Sequence, residues 1–124
     1  MLLIAAISAG LASCADVLAQ RGLDRTRELA LAEIDTVQCE LDGGTVRGVC
    51  MLGLPACVVP YTDAGEICTD SSECEGRCLI DIDASDAQPI VGTSATGVCQ
   101  ADTDSCGCWH EVLGSRVQPG ICVD

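Results

Sequence analysis

In 124 residues the chain carries eleven Cys and 19 Asp and Glu against six Arg, with no Lys, no Phe, one Trp and one Tyr. That length holds one small domain, and the scarcity of aromatic rings leaves little to fill an ordinary core. A cysteine share above roughly 8% in a short chain marks a disulfide scaffold made in an oxidising compartment, which argues against cytosolic residence. From Cys39 onward 14 acids face three Arg, a surface that repels phosphates and anionic lipid headgroups and argues against direct nucleic-acid binding.

Met1 to Ser13 is almost wholly apolar. It is far shorter than the roughly 18 residues of a spanning helix and reads as a secretory signal, although it lacks a basic start. Leu11-Ala12-Ser13-Cys14, directly after the apolar run, resembles the lipobox of bacterial lipoproteins. In that reading the chain is cut before Cys14, which becomes the lipidated N-terminus and holds the protein to the membrane through its acyl chains. The alternative exit is Val17-Leu18-Ala19, whose small residues suit cleavage before Gln20 and release of a secreted chain. Either route takes Cys14 out of the thiol pool. Ten cysteines then remain: Cys39, Cys50, Cys57, Cys68, Cys74, Cys78, Cys99, Cys106, Cys108 and Cys122. An even number predicts a fully paired domain, with the connectivity left open.

Residues 14–38 divide into a tether and, from Asp24 to Leu41, a helix. Ala30, Ile34, Val37 and Leu41 fall at helical spacing, with Arg25, Arg27, Glu28 and Glu33 for the solvent side. Gly43-Gly44 ends it. Residues 39–124 form the disulfide-rich domain, in which short apolar runs broken by Gly, Pro and Asp read as strands and loops: Thr45–Leu54, Cys57–Tyr61, Cys78–Ile82, Ile90–Val91, Val98–Gln100, Cys108–Leu113, Val117 and Ile121–Val123. Leu113-Gly114-Ser115 is a hairpin turn, and Ala84–Thr96 a polar loop. Gly48-Val49-Cys50 with Cys57 recurs as Gly97-Val98-Cys99 with Cys106, a repeat that would divide the domain into two similar lobes. The fold class is small, disulfide-rich, loop-rich α+β, one N-terminal helix followed by short antiparallel strands.

Few constellations carry chemistry. Cys106-Gly107-Cys108 could exchange disulfides if a thiolate were stabilised, but no basic residue flanks it; His110, the one His, is near in sequence. Zinc would need four closely paired Cys or His, which Cys68, Cys74 and Cys78 do not supply. Asp81-Ile82-Asp83-Ala84-Ser85-Asp86 begins like a calcium loop, but Asp86 stands where Gly should turn and Gly92 where Glu should close the shell. Trp109 and Tyr61 read as core or interface residues. No cofactor, metal or catalytic group is expected.

The ordered set Cys39-Glu40-Leu41-Asp42-Gly43-Gly44, Cys57-Val58-Val59-Pro60-Tyr61-Thr62-Asp63-Ala64-Gly65, the run Cys68 to Cys78, Gly97-Val98-Cys99-Gln100-Ala101-Asp102 and Cys122-Val123-Asp124 resembles a family of small cysteine-rich exported proteins of proteobacteria. That resemblance implies export, and often lipidation, rather than a particular activity. Cys99, Cys106, Cys108 and Cys122 also resemble the spacing of the thyroglobulin type-1 module, some members of which inhibit cysteine proteases. Cys106-Gly107-Cys108-Trp109 departs from that module's Cys-Trp-Cys-Val, and the upstream spacing does not fit. The expectation is a structural or protein-binding module of the bacterial cell envelope, anchored to the membrane at Cys14, with a protein partner of unknown identity. A protease inhibitor, with Ser105–Gln118 as its rigid loop, and a thiol–disulfide redox protein are the alternatives.

Overall fold

A stretch rich in Ala and Leu, with Gly22 its one helix-weakening residue between Cys14 and Ala32, has little reason to leave the helix once it has entered it. In the computed structural model, which describes residues 2–82 and 88–124 and side chains from Cys14 onward, α1 accordingly runs unbroken over Leu2–Ala32. The segment before Asp24, expected as a tether, is helical. The helix expected over Asp24–Leu41 is interrupted at residues 33–35. There Glu33 N–H and Ile34 N–H bond to the carbonyls of Ala30 and Leu31, tightening the last turn. Asp35 then caps a second helix, α2 (Thr36–Leu41), by accepting from Gln38 N–H at 2.9 Å. The break changes the buried stripe: Ala30 and Ile34 remain half-buried, while Val37 and Leu41 turn to solvent and Cys39 turns in. Gly43, at φ +78°, closes α2.

The chain then builds a hairpin of β1 (Thr45–Val49) and β2 (Leu54–Val58), paired antiparallel from Thr45↔Val58 to Val49↔Leu54. α1 packs on β2, and Arg27 clasps the hairpin tip with two bonds to the Leu52 carbonyl, at 2.7 and 3.1 Å. The larger sheet holds β3 (Ile67–Cys68), β4 (Cys78–Asp81), β5 (Gly97–Cys99), β6 (Gly107–Leu113) and β7 (Arg116–Val123), in the order β3-β5-β4-β6-β7 and antiparallel throughout. The expected turn after Leu113 is present. Gly114 and Ser115 both take positive φ, 55° and 61°, the handedness that two-residue hairpin loops require. No strand forms at Ile90–Val91. Residues 92–95 instead line the outer edge of β7, where Gly92 and Thr93 exchange backbone bonds with Val117. Pro119 lies further along that edge strand, where a missing N–H discourages pairing with another chain.

The small disulfide-rich α+β architecture is the one expected, but the repeat does not make two similar lobes. Gly48-Val49-Cys50 leads into a hairpin tip, with Cys50 at φ 56°, whereas Gly97-Val98-Cys99 is a strand inside the sheet. β3, from the first supposed lobe, pairs with β5, from the second. The core of this sheet is built from Cys68, Cys78, Cys99 and Val112, with Cys74 and Ile80 packed against them. Gly97 is required there by close approach, since a Cβ would stand 2.7 Å from the Leu79 carbonyl oxygen and 3.1 Å from Cys78 Sγ. Gly97→Ala is therefore expected to cost about 1–3 kcal/mol, read as a lower urea midpoint at unchanged slope. Gly22→Ala on α1, where an added Cβ meets nothing within 4 Å, should not lower that midpoint.

Candidate functional site

All ten cysteines from Cys39 onward are bridged, as Cys39–Cys57, Cys50–Cys106, Cys68–Cys78, Cys74–Cys99 and Cys108–Cys122. Cys39–Cys57 ties α2 to β2, and Cys50–Cys106 ties the small hairpin to the large sheet. The other three lie within the large sheet and its flanking turns. Cys14, exposed on α1, is the free cysteine.

This pairing decides what the sulfur can do. Cys106 and Cys108 bond to different partners, so their motif presents no dithiol of its own. The sulfurs of Cys68, Cys74 and Cys99 lie within 4.8 Å of one another, but each is spent in a disulfide and offers no thiolate to zinc. His110 is buried, and its Nδ1–H donates to the Gln118 carbonyl at 2.8 Å, which places the proton on Nδ1 and ties the ring to β7. Of the calcium-like run, Asp81 is exposed at the end of β4, while Asp83, Ser85 and Asp86 lie outside the described residues. Trp109 is buried with the Arg77 guanidinium 5.2 Å above its ring, and Tyr61 packs over Gly76, where a Cβ would meet its ring edge at 2.7 Å. The segment Ser105–Gln118 forms most of the β6–β7 hairpin.

That hairpin is held at its turn by groups the sequence reading passed over. Asp70 caps the 3₁₀ turn Ser71–Glu73 by accepting from Ser72 N–H, and its second oxygen accepts from Gly114 N–H across the molecule. Ser115 N–H bonds to the Thr69 carbonyl at 2.8 Å beside it. The Gly114 bond, followed by those from Ser72, holds the Asp70 carboxyl down at about 2. Glu75 is lowered in the same way by the hydroxyl and N–H of Thr62, 2.6 and 3.0 Å away. Asp70-Ser71-Ser72-Glu73 carries the cap signature in its sequence, since an Asx residue followed three positions later by Glu is a helix-start pattern. The Gly114 contact, 44 residues away, leaves no such trace.

An open depression of about 300 Å³ lies on the large sheet, lined by Ile67, Leu79, Ile80, Asp81, Thr96, Gly97 and Val98. Ile67, Val98 and Leu79 are register neighbours across β3, β5 and β4, so their side chains form one row on one face. Ile67 is 80% exposed and Val98 45%. The row offers apolar contact, with Glu111 as the register neighbour of Leu79 on β6 and Asp81 two residues along β4. Comparison with protein-family models, with curated proteins and with solved structures finds no match to the chain.

Two outcomes are expected. The lowered Asp70 pKa stabilises the fold fully above the ordinary carboxylate range, and this contribution is lost as pH falls through about 2. An NMR titration should place the Asp70 midpoint near 2, with Gly114 amide exchange quickening below it; a midpoint near 4 would remove the contact. Exposure orders the bridges, since Cys122 is exposed while Cys68 and Cys78 are buried. Stepwise reduction with alkylation and peptide mapping should open Cys108–Cys122 first and Cys68–Cys78 last.

Proposed function

We propose that the chain is an exported structural or protein-binding module of the bacterial cell envelope, carried on a lipid attached to Cys14. The observation that carries this reading is the division of the cysteines: ten are locked in pairs and the eleventh, Cys14, is unpaired, exposed and outside the crosslinked body. Five disulfides fit an oxidising, extracytoplasmic setting. Among the described residues, no helix is long and apolar enough to cross a membrane. Attachment would then fall to acyl chains, and cutting between Ser13 and Cys14 leaves residues 14–32 as the helix that joins lipid to domain. A rigid body with an exposed apolar row on one sheet face and no thiol to lend supports binding or scaffolding more than turnover.

The deciding measurement is the intact mass of the protein from membrane and culture-fluid fractions, alkylated before and after reduction. Acyl mass on Cys14, with ten thiols appearing only after reduction, is the expected result. A chain beginning at Gln20 would overturn the lipid anchor. Labelling of cysteines between Cys39 and Cys122 without reduction would overturn the crosslinked module.

A further inference from the structure

The six arginines divide sharply in what they do. Arg27 holds the Leu52 carbonyl, Arg47 pairs with Asp104 at 2.9 Å, Arg77 covers Trp109, and Arg116 donates to the Gly92 carbonyl at 2.8 Å. Among the described residues, Arg21 and Arg25 have neither an ion pair nor a hydrogen bond. In a chain of net charge −13, two unengaged cations side by side call for an account.

Their place on α1 supplies it. Leu23, Arg27, Ala30 and Ile34 are half-buried and mark the side of the N-terminal segment that faces the hairpin. Cys14, Leu18, Arg21, Arg25 and Leu29 follow one another at steps of three and four and so share the opposite face. Leu18 is 67% exposed and Leu29 63%. Asp16 falls on the hairpin side and Asp24 pairs with Arg27 at 3.3 Å, while Glu28 shares the outer face and lines one depression with Arg21, Asp24, Arg25 and Leu29. The outer face thus combines Cys14, two large apolar side chains and two guanidinium groups without an ion pair, against the one carboxylate of Glu28.

We propose that α1 lies along the membrane with this face turned down, Leu18 and Leu29 entering the interface and Arg21 and Arg25 binding the phosphates of anionic phospholipid head groups. The inference rests on attachment at Cys14 and adds what the helix beyond it lies on. Guanidinium matches phosphate in shape and charge, and basic side chains at an anionic leaflet each favour the bound state about five-fold. The acidic domain sits on the far side of the helix. A helix diameter of about 10 Å holds it roughly one screening length from the head groups.

The test compares a lying helix with a standing one. Leu29 is fifteen positions past Cys14, so a standing helix would hold it about 22 Å above the anchor. The full-length chain carrying Leu29→Trp, purified from membranes, is placed in phosphatidylethanolamine–phosphatidylglycerol vesicles containing brominated acyl chains; the parent protein, with buried Trp109, gives the background. The introduced indole is expected to shift to the blue, to be quenched by bromine and to be shielded from iodide. Arg21→Gln with Arg25→Gln should weaken the lying state about 25-fold at low salt. An indole open to iodide, quenching that survives the double substitution, or equal quenching in phosphatidylcholine would each overturn the proposal. Intact mass on the same sample reports the lipid on Cys14 separately. A missing lipid would thus be told apart from a helix that does not lie down.

Discussion

Two disulfides, Cys68–Cys78 and Cys74–Cys99, occupy the place where a domain of this size would ordinarily stack aromatic rings. Their positions interleave along the chain, Cys74 falling inside the loop closed by Cys68–Cys78, so neither loop can open without pulling on the other. Burying sulfur here removes apolar surface from water, as a small hydrophobe would, and the covalent bonds also restrict the unfolded ensemble. Each closure contributes on the order of 2–4 kcal/mol in domains of this kind. Without Phe, and with a single Trp, the chain has only Trp109 and small aliphatics such as Val112 and Val117 to pack beside them. The short strands follow from the same constraint. β3 has two residues and β5 three, too few to hold by backbone pairing alone, and each carries a bridged cysteine.

Acidic side chains, excluded from so small a core, take over the work of fixing turns. Asp35 starts α2, Asp70 starts the 3₁₀ turn and reaches the β6–β7 hairpin, Glu75 holds Thr62, and Asp104 holds Arg47. Carboxylates are suited to this because each oxygen can accept more than one bond and an exposed turn has N–H groups to give. Much of the large negative charge therefore has a local structural use.

The legible part of this fold was the part set by local rules. Gly114-Ser115 announced a hairpin, Gly43-Gly44 a helix end, and the cysteine count a domain whose thiols pair off. What escaped was set by distance. The spacing of Ala30, Ile34, Val37 and Leu41 promised one continuous helix, because periodicity alone cannot register that Asp35 caps a new one. Gly48-Val49-Cys50 and Gly97-Val98-Cys99 matched as strings because Gly and Cys recur wherever chains turn tightly, yet one occupies a tip and the other a strand. The row Ile67, Val98, Leu79 is assembled from three strands whose order, β3-β5-β4, is not their order in the chain. No window of sequence contains it.

The two ends of the molecule obey different constraints. From Cys39 onward, every cysteine is paired, and all three arginines, Arg47, Arg77 and Arg116, have partners. Before Cys39, α1 meets that body through Arg27 and the half-buried stripe beside it, while Leu18, Arg21, Arg25 and Leu29 are exposed. A helix left exposed with Leu18, Leu29, Arg21 and Arg25 on one side carries a cost in apolar exposure that the crosslinked body does not relieve. That cost is removed if a surface of phosphates and acyl chains completes the helix.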